Sequence, residues 1–141
     1  MVGKFPINTH PALILFDTGA SHSFISRAFV DKYKLPTESM KRAIRVSSPG
    51  GDMIASAGCR DLTVRIGTHN FSAHLVVLDS QGLDVILGMD WMSMHEGHID
   101  CAQRAVSLKI LDGKRIRFKS AVRPGRCKLN SLKGLAWILC Q

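Results

Sequence analysis

Asp17, Thr18 and Gly19 close the apolar run Ala12-Leu13-Ile14-Leu15-Phe16. Five apolar residues in succession read as a strand buried on both faces. A carboxylate at the end of such a strand is costly unless it is paired, solvated or neutralised. A carboxylate in that position can do acid–base work on water. Thr18 sets a hydroxyl beside it, and Gly19 lets the chain turn sharply with no Cβ in the way. The same three residues also suit an ordinary Asx-type turn, and D-T-G alone does not separate the two readings. Two other groupings invite chemistry and carry less. His95-Glu96-Gly97-His98 has the wrong spacing for the H-E-x-x-H zinc helix, so no metal ligand is expected. Ser21 and Ser23 have no histidine and carboxylate at usable spacing, which argues against a serine hydrolase.

A second apolar run, Val85-Ile86-Leu87, ends in Gly88 and continues as Met89-Asp90-Trp91-Met92. Asp17-Thr18-Gly19-Ala20-Ser21-His22-Ser23-Phe24-Ile25-Ser26, followed at domain-scale distance by this I-L-G-M-D-W-M, resembles the retropepsin family of aspartic proteases. The wording is nearest to the protease domain of gypsy-type long-terminal-repeat retrotransposon polyproteins of plant-like kind. The resemblance runs from about residue 4 to residue 120.

It implies a mainly β, closed, barrel-like acid-protease fold with one or two short helices. Asp17 becomes the catalytic carboxylate, Thr18 a cross-link between two active-site loops, and Gly19 the turn that accepts close approach of substrate backbone. Residues 48–52 become a flap with Gly50 and Gly51 at its tip, and 85–88 a support beneath the Asp loop. Ala20, Gly50, Gly51 and Ile86 are then the substrate-binding positions. Two like carboxylates in contact cannot both ionise, so one keeps a proton while the other activates water. A chain with a single D-T-G that is too short for two lobes must obtain its second aspartate from another copy, which predicts a homodimer. The chemistry calls for no cofactor. Family members of retroviral type carry an acidic residue soon after D-T-G-A and a basic one after the second glycine; here those places hold Ser21 and Met89, and a weaker dimer follows.

The elements that must position these residues can be read in order. Residues 4–8 form a strand that Pro6 marks as an edge, 9–11 a turn, and 12–16 the returning strand. Ile25, Phe29, Val30 and Tyr33 share a helical face, with Ser23 or Ser26 as cap and Pro36 as terminator. Strands follow at 43–47, 53–66 (bent near Gly58) and 71–78. The buried strand 85–87 precedes a short helix from 89 to about 95. Residues 99–110 are extended apart from a turn at 100–104, and 115–119 return after Asp112-Gly113. Periodicity fades beyond Ala121. The division expected is a protease domain over 1–120 and a basic tail or linker over 121–141.

Composition narrows the setting. The 141 residues suffice for one cored domain. No apolar run is long enough for a membrane helix, and the start lacks the apolar core of a signal peptide. An intracellular, cytoplasmic context is therefore expected, virus-like particles included. The four cysteines form no C-x-x-C pair and read as free thiols, with Cys59 and Cys101 in the core. The net charge of +8 is concentrated late, where the nine Lys and Arg between Lys109 and Lys133 face only Asp112. Nucleic acid could be engaged only through this stretch. A solvated tail is the better reading, because no aromatics interleave with the charges. The function expected is endopeptidase cleavage of a polyprotein by an Asp17 dyad. The alternative is a catalytically inactive or co-opted module that dimerises and binds peptides.

Overall fold

The computed structural model describes residues 1–48, 51–79 and 82–119. Gly50 at the expected flap tip and the tail over 121–141 lie outside the described residues. The elements, in chain order, are β1 (Val2–Ile7), β2 (His10–Phe16), β3 (Phe24–Ser26), α1 (Arg27–Tyr33), β4 (Glu38–Ser48), β5 (Gly51–Ile66), β6 (His69–Leu78), β7 (Val85–Leu87), α2 (Met89–Met94), β8 (His98–Asp100), β9 (Ala105–Lys109) and β10 (Arg115–Lys119).

Six strands close on themselves in the order β1-β2-β7-β3-β6-β5, the ring being completed where Ile7 of β1 pairs with Val64 of β5. β4 hangs on the outer edge of β5, and β8, β9 and β10 make a separate antiparallel sheet. The result is the mainly β barrel with two short helices that the resemblance implies.

β1 and β2 are joined by Asn8 and Thr9 alone, with Ile7 opposite His10. Both linking residues have positive φ, 47° and 75°, the signature of a two-residue turn whose twist matches the strands. His10 and Pro11 therefore belong to β2 and not to the turn expected at 9–11. Along β2, Ala12, Ile14 and Phe16 are fully buried, whereas Leu13 and Leu15 are half-buried. The strand thus divides its faces between the large core and a smaller cluster built around Ala20, Phe24, Val46 and Ile86.

β3 is the element that periodicity does not reveal. Phe24-Ile25-Ser26 reads as the lead into a helix, yet it is held as a strand by β6 on one side and β7 on the other. Three residues are too few to show a period, and tertiary pairing decides. α1 starts at Ser26, whose Oγ accepts the Phe29 N–H at 3.1 Å. It stops at Lys34, in the left-handed region at φ 52°, just before Pro36.

β4 begins five residues earlier than expected. Its register against β5 breaks between Ser39 and Ile44, so residues 40–43 leave the ladder and alternation there is lost. β5 bends against β6 between Cys59 and Leu62, close to the expected Gly58. Cys59 is buried in the core, whereas Cys101 is exposed. The expectation of a core Cys101 fails because the residue sits in the turn between β8 and β9, where backbone runs at the surface. Among the described residues, no helix is long and apolar enough to cross a membrane.

Candidate active site

β2 delivers Asp17 to the rim of the barrel, and β7 holds it there. β7 runs parallel to β2, with Phe16 level with Leu87, and the Asp17 N–H donates to the Leu87 carbonyl at 2.9 Å. The chain then turns tightly. The Gly19 N–H donates to Asp17 Oδ1 at 2.7 Å, and the Ala20 N–H reaches back to the Asp17 carbonyl at 3.3 Å. A Cβ on Gly19 would stand 3.0 Å from Asp17 Oδ1, tight against the carboxylate it serves. Asp17 is half-buried while Thr18 and Gly19 are exposed. The Thr18 hydroxyl has no partner among the described residues.

The return leg of the loop is fastened from below. The Ala20 carbonyl accepts the Met89 N–H at 2.6 Å. The Ser23 Oγ accepts the Gly88 N–H at 2.9 Å and donates to Asp90 Oδ1 at 2.5 Å, and the Ser23 N–H adds a bond to Asp90 Oδ2 at 3.3 Å. Asp90 Oδ1 also accepts the Trp91 N–H at 2.7 Å, in the first turn of α2. Gly88 has no room for a side chain, since a Cβ would lie 2.4 Å from the His22 carbonyl and 2.7 Å from that of Ala20. Residues 85–88 therefore lie against the Asp loop as expected of them.

Ser23 and Asp90 are the residues that sequence reasoning does not single out. Ser23 is visible there only as a hydroxyl without a usable triad and as one of two possible helix caps, a place that Ser26 takes. The one signal for Asp90 is a charge placed directly after a buried apolar run. A third anchor is Asp84, whose Oδ2 accepts the Leu13 N–H at 2.8 Å while its own N–H donates to the Leu13 carbonyl at 3.0 Å.

The expected substrate positions are distributed unevenly. Ala20 is 0% exposed and Ile86 2%, both packed into the smaller cluster, against which the half-buried Leu13, Leu15 and Met53 lie. Gly51 stands opposite Ser48 at the end of the β4–β5 hairpin. Ser21 and Met89 occupy the places of the missing ion pair, and Met89 is a large apolar side chain exposed at 42%. His95 closes α2 and donates from Nε2 to the Ser72 carbonyl at 3.0 Å, while His98 opens β8. Among the described residues, no three His, Cys, Asp or Glu side chains are grouped to hold a metal ion.

A family description, retroviral aspartyl protease, matches residues 1–114. Among solved structures, the retroviral protease-like domain of Ddi1 from Leishmania major is similar at 16% identity and a TM-score of 0.61, over 77% of this chain and 86% of that one. EIAV protease complexed with the inhibitor HBY-793 is similar at 21% identity and a TM-score of 0.54, over 67% of this chain and 86% of that one. These likenesses concern the fold.

Proposed function

The chain belongs to the retroviral aspartyl protease family, and from that membership we propose that it is an aspartic endopeptidase whose active site is completed by a second copy of itself. The observation that carries this reading is the seating of Asp17: a half-buried carboxylate, hydrogen-bonded by Gly19 N–H at 2.7 Å, on a turn whose Thr18 and Gly19 are uncovered. Across a two-fold axis the two Asp17 carboxylates meet and share one proton. The ionised member takes a proton from a water, which attacks the peptide carbonyl. The protonated member donates to the carbonyl oxygen, giving a tetrahedral diol; the proton taken from water then passes to the departing amine nitrogen, and the other carboxylate recovers a proton from the diol as the C–N bond breaks. The two Thr18 hydroxyls are free to link the two loops.

An extended polypeptide adds to the cleft through backbone hydrogen bonds, beneath flaps formed by the β4–β5 hairpins. The natural substrate is a polyprotein, and the chain derives from a gypsy-type retrotransposon working inside the cell. Residues 1–120 are the protease domain and 121–141 an appended basic tail. Subunit mixing tests the shared site. Adding an excess of Asp17→Asn protomers to a fixed amount of parent should suppress cleavage as mixed dimers form. Cleavage that stays constant, with sedimentation showing a monomer, overturns the shared dyad.

A further inference from the structure

A groove of about 750 Å³ starts where the scaffold of the catalytic loop ends. His22, the neighbour of Ser23, and Asp90, its partner, line one end. The base of the β4–β5 hairpin and part of β6 line the rest, with Met40, Ile44, Leu75 and Val76 giving it an apolar floor.

Its charges do not cancel. Of the two acidic residues, Glu38 is taken up by Arg60, Oε1 to Nε at 2.5 Å. Asp90 is taken up by Ser23 and the Trp91 N–H. Lys41 and Arg42 also line the groove, and neither has an acidic partner among the described residues. Both are exposed, in the stretch where β4 leaves its register with β5, so no strand pairing fixes them away from a ligand. His74 adds a donor. Its Nδ1 accepts the Asp61 N–H at 3.2 Å, which places the proton of the neutral ring on Nε2.

We infer that this groove is a specificity subsite for an acidic side chain of the polypeptide substrate. The carboxylate is received by Lys41 and Arg42, and its aliphatic stem lies on the apolar floor. The inference rests on the endopeptidase reading in that the ligand is a peptide extended from the Asp17 cleft. A two-fold site carries two such grooves, so acidic residues are favoured on both sides of the scissile bond.

The experiment separates binding from cleavage. A neutral, extended fluorescent peptide is made with Glu or Gln placed in turn at each position on either side of its central bond. Binding to the Asp17→Asn variant is followed by anisotropy at low and high salt. At one position on each side, Glu should bind about fivefold tighter than Gln, the scale of an exposed charge pair. The advantage should shrink with salt. Lys41→Glu/Arg42→Glu, both exposed changes, should transfer the preference to Lys peptides while neutral peptides bind as before. Equal binding of Glu and Gln peptides at every position, or a preference untouched by the double variant, overturns the inference. A Glu preference in binding with no cleavage by the parent upholds the subsite and sinks the catalytic reading instead.

Discussion

Ser23 Oγ donates to Asp90 Oδ1 at 2.5 Å across 67 residues of chain, and the same oxygen accepts the N–H of Gly88. One hydroxyl thus joins the return leg of the Asp17 loop, the end of β7 and the start of α2. Ser23 is 1% exposed and Gly88 is buried, so the loss of this hydroxyl leaves a buried N–H without an acceptor. Ser23→Ala should cost about 2 kcal/mol in urea unfolding. Asp90→Ala should cost less, because the Gly88 N–H keeps its acceptor. The double variant should cost less than the sum of the two, since the removed groups are partners. Additive losses would mean that the two side chains are not coupled.

Gly88 leaves no room for a Cβ. The atoms that a Cβ would strike are the carbonyls of His22 and Ala20, which belong to backbone and cannot rotate away. Gly88→Ala should therefore destabilise the fold by about 3 kcal/mol and reduce proteolysis in parallel. A variant of parental stability would show that the loop and β7 are not in contact.

Thr9 offers a gain. It is exposed and β-branched, yet it sits at φ 75° in the two-residue turn between β1 and β2. Asn-Gly is the pair that such a turn favours. Thr9→Gly should raise stability by about 0.5 kcal/mol, relief of the left-handed strain outweighing the added freedom of the unfolded chain. The turn's other tie runs through Asn8, which holds Thr63 by Oδ1 and by its own N–H, and this is unaffected. A lower urea midpoint would contradict the turn assignment.

His95 introduces a pH dependence. Burial against Trp91 and Phe71 pushes its pKa below the usual 6.5, and the hydrogen bond to the Ser72 carbonyl only partly opposes the shift. A histidine depressed in the fold binds its proton more readily when unfolded. The unfolded chain then holds more protons below about pH 6.5, and stability falls as pH drops through that range. The parent should unfold at lower urea at pH 5.5 than at pH 7.5, and His95→Gln should narrow the difference. Identical pH slopes in the two proteins would remove His95 as the source.

The parts of the fold that were legible in the sequence are those where local pattern and tertiary role agree. The run into Asp17, the helix closed by Lys34 and Pro36, and the buried 85–87 strand all carry their own signal. β3 does not, because Phe24-Ile25-Ser26 becomes a strand only when β6 and β7 take its backbone groups. The early start of β4 is hidden for a similar reason, since residues 40–43 bulge and their alternation breaks. Cys101 looked like core on residue type alone, and a turn overruled it. In the site, the D-T-G reports the carboxylate and its turn, but the Ser23–Asp90 tie depends on pairing two segments that sequence order keeps far apart.

The proposed chemistry is that of Asp17 acting on water at a site shared by two copies. The most direct measurement is cleavage of a denatured protein by the parent and by Asp17→Asn at equal concentration, with thermal unfolding of both as a check on folding. Discrete fragments are expected from the parent. None are expected from Asp17→Asn, whose melting temperature should stay within a few degrees of the parent because Asn keeps an oxygen for the Gly19 N–H. Undiminished cleavage by a folded Asp17→Asn protein would contradict a catalytic Asp17.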